Sequence, residues 1–344
     1  MRELKIDKIN ANILRTLLKD ARTSFTEMAK ENKITAAAVR SRYENLKKAG
    51  IITGAIMQIN PLRIGFRCFG FLGIKVHQSR TAEVMDYLRK QPYILATWNK
   101  IQEINIGNYF AVSNLEKFSE IHDKLRAHPH IKNVQPLIYV GLPCHNHPEK
   151  LIIKAKSEII KQNFGEKTAQ MLEQERAAEK QLKRPLIQTP ELQQMTRIDR
   201  QIAKILSQNA RTPFSAIAKE INISTSHTIK TYKKLIEKKC FLGSSITIDP
   251  RKLGYKANAM IYIKRSLAIN ITDIQKSILK VPNVITLVKT LGEWDKFAII
   301  PLTAFEELFE IEKEFATIKG IKKIEIRINP PFTNWPFDFL APHL

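Results

Sequence analysis

The stretch KINANILRTLLKDARTSFTEMAKENKI (8–34) returns as RIDRQIAKILSQNARTPFSAIAKEINI (197–223), at a constant offset of 189 residues. When the alignment is continued without a gap over residues 8–66 and 197–255, the two segments are identical at 17 of 59 positions. A repeat of this length indicates one structural unit that is present twice. The 344-residue chain is therefore predicted to be an internal duplication.

The start of each copy has the pattern of two helices separated by a sharp break. Apolar residues that recur every four positions predict the buried stripe of a first helix. These residues are Ile9, Ile13 and Leu17 in copy one and Ile198, Ile202 and Leu206 in copy two. The break falls at Ala-Arg-Thr, and Thr212 followed by Pro213 predicts an N-cap and a first helical residue. Thr23-Ser24 predicts the same start in copy one, for a short helix that ends near Asn32.

A third helix and a strand pair complete each repeat. Thr35 and Ser224 are predicted to cap the third helix. Its inward face is predicted from spacing as Val39, Tyr43 and Leu46 in copy one and Thr228, Tyr232 and Leu235 in copy two. The following segments, IITGAIMQI (51–59) and CFLGSSITI (240–248), alternate enough to predict a strand pair, or wing. Three helices with a wing are typical of a winged helix-turn-helix.

The outward face of the third helix carries the candidate DNA contacts. Recognition helices read base edges near their N-terminus, while basic side chains hold phosphates, and small residues allow close approach to a thymine methyl. The predicted DNA-binding residues are Thr35, Ala37, Ala38, Arg40, Ser41 and Arg42 in copy one and Ser224, Ser226, His227, Lys230, Lys233 and Lys234 in copy two. The alternative is a solvated helix face on a winged helix that binds protein.

Composition supports a nucleic-acid partner. The formal net charge is +23, and residues 1–65 and 197–254 carry +7 and +8 of it. Such an excess favours polyanions, although a generally basic proteome would also produce it. The 44% of hydrophobic residues excludes disorder of the whole chain. No window suggests a membrane span, the opening MRELKIDKIN lacks a secretory signal, and three separated cysteines favour a reducing compartment. We expect a cytoplasmic, nucleoid-associated protein without a membrane partner.

A second pattern, β-α-β-β-α-β, follows each repeat and predicts a ferredoxin-like split unit, so the fold class is α+β. Two helices cover one face of such a sheet, and the other face must find a partner, so sheet-to-sheet pairing is expected. The predicted domains are two winged helix-turn-helix domains (1–60 and 196–250), two ferredoxin-like domains (61–145 and 251–344) and a helical linker (146–195).

These features together resemble the Lrp/AsnC family of transcriptional regulators. The resemblance is carried by Asn10 or Asp199 in the pattern (D/N)-x2-I-x3-L-x3-A-R-T and by the βαββαβ unit, and it covers roughly residues 1–141 and 197–330. It implies sequence-specific binding of double-stranded DNA, dimerisation through the βαββαβ domain and, in several members, amino-acid effectors. The chain looks like a tandem, archaeal-like member. The family's effector turn matches Gly292, Trp294 and Asp295.

The two copies depart from the family pattern at different places. Copy one has Asn10 for the early Asp and Gln102-Glu103-Ile104-Asn105 for the turn, whereas copy two has Thr231 where copy one has Arg42. One hypothesis is that copy one contributes more to DNA reading and copy two keeps the effector pocket, for an amino acid or another small metabolite. The other is ordinary drift within an obligate intrachain pseudo-dimer. The helix-prone stretch 148–196 is long enough for one chain to pair its own two sheets, and a cross-paired homo-oligomer is the alternative.

Other chemistry finds little support in the sequence. His122, His128, His130, Cys144, His145 and His147 lie within 26 residues but lack the partner spacing of a metal site. No catalytic residue, metal or cofactor is predicted, because no nucleotide-binding or hydrolase motif occurs. Two alternatives stay open: a sirohaem-decarboxylase-like enzyme on the same fold, and an architectural or ligand-sensing protein with little sequence specificity. The aromatic C-terminal tail, NPPFTNWPFDFL (329–340), is expected to cover a core edge.

Overall fold

The structure is a computed structural model that describes residues 6–99, 104–141, 195–266, 271–281, 283–336 and 340. Within these ranges, no helix is long and apolar enough to cross a membrane. The predicted linker up to residue 194 and Gln102-Glu103 lie outside the described residues, while Met195, the last residue of the predicted linker, is buried. Copy one contains α1 (Lys8–Lys19), α2 (Phe25–Asn32), α3 (Ala36–Lys48), β1 (Ile52–Ile59), β2 (Cys68–Val76), α4 (Thr81–Arg89), β3 (Ile94–Asn99), β4 (Ile106–Val112), α5 (Leu115–Arg126) and β5 (Ile131–Tyr139).

Copy two repeats this order of elements. It contains α6 (Arg197–Gln208), α7 (Phe214–Glu220), α8 (Thr225–Glu237), β6 (Phe241–Ile248), β7 (Ala257–Arg265), α9 (Ile271–Lys280), β8 (Thr286–Leu291), β9 (Lys296–Leu302), α10 (Glu307–Thr317) and β10 (Ile321–Asn329). In both copies three helices and one strand precede a βαββαβ unit, so the α+β, ferredoxin-like expectation is confirmed.

Local capping explains where the helices begin. The side chains of Thr35 and Ser224 accept hydrogen bonds from the third residue of their helices, at 3.1 Å each, and so occupy the predicted N-cap positions. Ser24 caps α2 in the same way. In copy two the predicted start is wrong by one residue. Pro213 is extended and itself occupies the N-cap position, while the Thr212 hydroxyl donates to the Asn209 carbonyl.

The strand after each helix triplet has its partner in the other copy. Strands β1 and β6 pair antiparallel with each other, from Ile52 opposite Ile248 to Ile59 opposite Phe241. A wing built within each copy is therefore not what the structure shows. The reason is local, because a 3-10 turn at Pro61–Arg63 or Pro250–Leu253 directly follows each strand and leaves no segment for a hairpin. The backbone groups of a lone strand need a partner, and the duplicated unit supplies it.

Reciprocal backbone hydrogen bonds reveal a pseudo-twofold relation between the helical units. The Ala21 amide donates to Ser244 at 3.4 Å, and the equivalent Ala210 amide donates to Ala55 at 2.9 Å. Helix α1 packs on β6, and α6 packs on β1. Buried residues of both copies, including Leu17 and Leu206, belong to one hydrophobic cluster. The apolar cores of the two helical units are therefore continuous, and the two units form a single helical module.

The two βαββαβ sheets meet edge to edge as β10-β7-β9-β8-β5-β2-β4-β3, joined where Ile138 and Tyr139 pair with Leu291 and Thr290. Alternate strand residues point to opposite faces. On β2, Leu72 faces a core under helices α4 and α5, whereas Phe71 belongs to the cluster shared with the helical module. Copy two behaves in the same way, so the helix-free faces of both sheets lie in that shared cluster.

The C-terminal tail returns to the helical module. Trp335 forms an isolated bridge with Ile248 on β6, with backbone N–O distances of 2.9 and 2.8 Å. Its side chain is 1% exposed and stacks on Phe332 at 4.9 Å between ring centroids. For the described residues of the segment 329–340, the expectation that it covers a core edge is confirmed. Its position ties the end of the second sheet to the strand pair between the helical units.

Candidate nucleic-acid interface

Helix α3 turns its small and polar residues outward. Val39, Tyr43 and Leu46 are buried, as their spacing predicts. Ala37 and Ser41 are exposed on the opposite side, Ala38 is half-buried beside them, and Thr35 is exposed at the cap. The Arg40 side chain is exposed, with its guanidinium carbon 5.5 Å from the centre of the Phe25 ring. The small residues of this face allow close approach to a base edge, and the Arg40 guanidinium at its side can contact a phosphate.

Helix α8 presents an equivalent but more basic face. Thr228, Thr231 and Leu235 are buried, and the predicted inward residue Tyr232 is half-buried. The predicted contact residues Ser224, Ser226, His227, Lys230 and Lys233 are exposed, and Lys234 is half-buried. The structure thus brings most of the predicted contact residues to the surface of one module.

Arg42 is the predicted contact residue that the structure places differently. Its Nη1 lies 2.6 Å from Oδ2 of Asp7 and donates to Oδ1 of Asn10 at 3.0 Å. Asp7 also caps α1 through the Asn10 amide, at 2.7 Å. The guanidinium therefore holds α3 against the start of α1, and its side chain is directed into copy one.

In copy two, the contact between the first and third helices, α6 and α8, is made by different residues. Asp199, which is equivalent to Asn10, is 5% exposed and completes a capping box with Thr196. Its carboxylate lies 3.7 Å from the Nζ of Lys234, and Thr231 stands where copy one has the arginine. A buried carboxylate needs a cation or hydrogen bonds nearby. Lys234 therefore stabilises copy two, in addition to its predicted place beside DNA.

Two arginines that spacing alone did not identify cross between the copies. Arg22 lies between α1 and α2, and Arg211 is its equivalent between α6 and α7. Each guanidinium donates to backbone carbonyls of the other copy's loop. Burial lowers the pKa of both groups below the ordinary arginine value. The signal available in the sequence was the Ala-Arg-Thr triplet, which recurs unchanged in both copies.

The predicted effector turn is largely occupied by internal contacts. Gly292 has a φ of +133° and approaches the Pro136 carbonyl of copy one, 3.2 Å from where a Cβ would lie. Trp294 is buried, with its ring 6.0 Å from that of Tyr262. The Asp295 carboxylate accepts a 2.9 Å hydrogen bond from the Arg265 amide. The turn therefore joins the second sheet to the first.

In copy one, the position equivalent to Asp295 of this turn carries a different residue that also anchors a strand end. Asn105 stands where copy two has Asp295, and its side chain bonds both the amide and the carbonyl of Val76, at 2.9 and 3.0 Å. Ile104 is buried in place of the tryptophan. An amide can accept and donate at once, so the strand end stays anchored without a carboxylate.

Tyrosines line the shared side of the two sheets. Burial raises the pKa of Tyr109 and of Tyr139, which also bond each other, and it raises the pKa of Tyr262 to about 12. Arg327 stacks on Tyr262 with 4.6 Å between its guanidinium carbon and the ring centre. These phenols stay protonated at neutral pH and keep the capacity to donate hydrogen bonds.

Of the clustered histidines and cysteine, the structure describes His122, His128 and His130. His128 packs against Tyr87 at 4.7 Å between ring centroids, and His130 Nε2 lies 3.4 Å from the Glu83 carboxylate. His122 stacks on Phe118 at 5.9 Å. Among the described residues, no three metal-ligating side chains converge. Cys144, His145 and His147 lie outside the described residues.

Comparison with known proteins identifies relatives of each part. The AsnC-type helix-turn-helix domain matches twice, at residues 6–47 and 195–236. The HTH-type transcriptional regulator Ptr1 of Methanocaldococcus jannaschii is 35% identical over 107 residues, which is 31% of this chain and 69% of that protein. The regulatory protein AsnC of Escherichia coli K12 is 31% identical over 109 residues, or 32% and 66% of the two chains. The chain thus spans about two thirds of the length of these relatives.

The architecture of the whole chain resembles that of a solved structure. The siroheme decarboxylase NirDL has a TM-score of 0.60 and covers 96% of this chain and 93% of its own, with 15% sequence identity. At that identity the likeness shows the fold alone. The curated relatives, in contrast, are transcriptional regulators.

Proposed function

This chain belongs to the Lrp/AsnC family of DNA-binding transcriptional regulators, and from that premise we propose that it reads two operator half-sites with α3 and α8 of a single chain. The observation that carries the proposal is that both recognition helices stand on one hydrophobic core with small or polar residues outward. Ala37 and Ser41, with Ser226 and Lys230, would lie toward base edges. Arg40 and Lys233 would hold phosphates.

We further propose that the protein is cytoplasmic, that it binds DNA there, and that it is not an enzyme. The regulators among its relatives support this reading, as does the absence of histidine from β3, β4, β8 and β9. The turn at Gly292, Trp294 and Asp295 is our candidate contact for an amino acid or another small metabolite. Because that turn joins the two sheets, a ligand there would act on the contact between copies.

Selection of bound fragments from random duplex DNA at about 150 mM salt tests the proposal. We expect a pseudo-palindromic motif whose half-sites are separated by one or more helical turns. An asymmetric motif would mean that one copy reads bases, as the hypothesis of divided roles holds. No enrichment would overturn sequence-specific regulation and favour the architectural or the tetrapyrrole alternative.

Affinity for the selected operator should fall steeply with salt, because lysine and arginine contacts to phosphate release counterions. For a protein with about six to ten such contacts, the loss between about 50 and 200 mM salt is roughly 10³–10⁵. Titration of the operator and of scrambled DNA across this range measures the slope. Weak binding that is insensitive to salt would contradict phosphate-dominated affinity.

The two neighbouring arginines of α3 should behave differently when each is changed to glutamine. Arg40→Gln should weaken binding to all sequences and lower the salt slope by about one, because its side chain is exposed toward solvent. Arg42→Gln should leave the slope unchanged and lower the unfolding midpoint, since it breaks the contact with Asp7 and Asn10. Each variant serves as the control for the other. The reverse pattern would refute this assignment of the α3 face.

A further inference from the structure

The crossed arginines form the most symmetrical contact between the two helical units. Nη1 of Arg22 donates to the Ala210 carbonyl at 2.5 Å and to the Thr212 carbonyl at 3.3 Å. Nη1 of Arg211 donates to the Ala21 carbonyl and, at 3.2 Å, to the Thr23 carbonyl. The loop between the first two helices of each copy therefore contributes one arginine and supplies carbonyl acceptors to the arginine of the other copy.

Each guanidinium also lies over an aromatic pair that includes a recognition-helix residue. The Arg22 guanidinium carbon is 4.3 Å from the Phe214 ring centre and 5.3 Å from that of Tyr232, in α8. The corresponding distances from Arg211 are 4.6 Å to Phe25 and 5.3 Å to Tyr43, in α3. The two rings of each pair are themselves 5.0 and 5.4 Å apart. Each recognition helix is therefore in contact with an arginine of the opposite copy.

The geometry of this contact is directional. A guanidinium is a planar fork whose hydrogen bonds and stacking face together specify both distance and angle, which a lysine ammonium cannot do. A partly buried cation is stable only where such partners compensate its lost hydration. The arrangement thus constrains the position of one recognition helix relative to the other, more narrowly than the apolar packing around it would.

We propose that Arg22 and Arg211 are positioning residues that set the separation and orientation of α3 and α8, so that this chain selects operators by half-site spacing as well as by sequence. This inference rests on the proposed function. Simultaneous engagement of two half-sites adds avidity only when the geometry permits both contacts. A rigid crossed contact would hold α3 and α8 at a fixed separation, so affinity would depend on the spacing between the two half-sites.

The test uses the full-length chain and a series of duplexes in which the distance between the two selected half-sites is changed in single base-pair steps. The wild-type protein should lose roughly 10²–10⁴ in affinity when the second half-site can no longer be reached. The double variant Arg22→Lys/Arg211→Lys should show a much flatter spacing profile. Its affinity for a duplex with a single half-site and its salt slope should match those of wild type. A double variant with the exposed changes Arg89→Lys and Arg126→Lys, on α4 and α5, is the matched control.

A second measurement does not depend on DNA. Nitroxide labels at Lys48→Cys and Glu237→Cys, exposed ends of α3 and α8, report the distance between the helices by pulsed electron paramagnetic resonance, with Cys144→Ser in every sample. The distribution should be narrow in the wild-type background and broader with Arg22→Lys/Arg211→Lys. Equal widths together with equal spacing profiles would overturn the inference and leave the proposed function intact. Failure to enrich any half-site would instead refute the proposed function and, with it, selection by spacing.

Discussion

Changing Ala37 and Ser226 together to glutamate should reduce affinity for the selected operator by roughly 10³ or more, to the level of non-specific binding. The two positions are equivalent in the repeat, and both are exposed near the N-terminal ends of α3 and α8. Each glutamate would add bulk where close approach to bases is expected and would place a negative charge toward the phosphate backbone. Competition titration of labelled operator against wild-type and variant protein measures the loss.

The matched control is a pair of identical substitutions outside the proposed interface. Ala82→Glu and Ser119→Glu change the same residue types and the same net charge at exposed positions of α4 and α5. We expect this control to lose little affinity at about 150 mM salt, because charges beyond the Debye length of about 8 Å are screened. If both double variants lost affinity equally, net charge would account for the effect and the assigned faces would be wrong.

Trp335→Ala should destabilise the protein by about 3–5 kcal/mol, which is the usual cost of removing a large aromatic side chain from a core. The side chain is 1% exposed and belongs to the cluster that both helical units and both sheets share. The backbone hydrogen bonds that hold the tail to β6 in both directions do not involve the side chain, so the loss reports the burial of the indole ring. Urea unfolding followed by far-ultraviolet circular dichroism measures the change in midpoint and slope.

Two further variants make the effect of Trp335→Ala interpretable. Phe309 is 69% exposed on α10, so Phe309→Ala removes an aromatic ring without opening a core cavity and should change stability little. Trp335→Phe keeps an aromatic ring against Phe332 and should lose less than Trp335→Ala. An unfolding midpoint of Trp335→Ala equal to that of Phe309→Ala would mean that the tail is not part of the structural core.

The divergence between the copies has a structural counterpart. Copy one closes α1 against α3 with Arg42, Asp7 and Asn10, while copy two uses Asp199 and Lys234. At this contact the differences between the two copies compensate each other, which is the pattern expected of drift under a common structural requirement. Divided roles in DNA reading and effector binding remain a separate hypothesis, and the selected operator motif decides between them.

Much of the candidate interface could be predicted because it depends on local features. Helix caps at Thr35 and Ser224 and the buried faces of α3 and α8 follow from residue type and 3.6-residue periodicity. The role of Arg42 could not be predicted in this way. Its spacing places it on the flank of the helix, and only the position of Asp7 on another element shows where the guanidinium points.

The duplication, the α+β class, the order of elements and most outward residues of the recognition helices could be predicted from the residue pattern alone. Which strand pairs with which depends on the folded arrangement, because a β-ladder is built from backbone groups that every residue carries. Strand β1 found its partner in β6, 182 residues further along the chain when counted from Ile59 to Phe241. The same is true of the crossed arginines and of Trp335, whose partners are carbonyls and rings brought near only by folding. Local periodicity specifies the elements, whereas contacts between distant segments specify how two copies become one DNA-binding module.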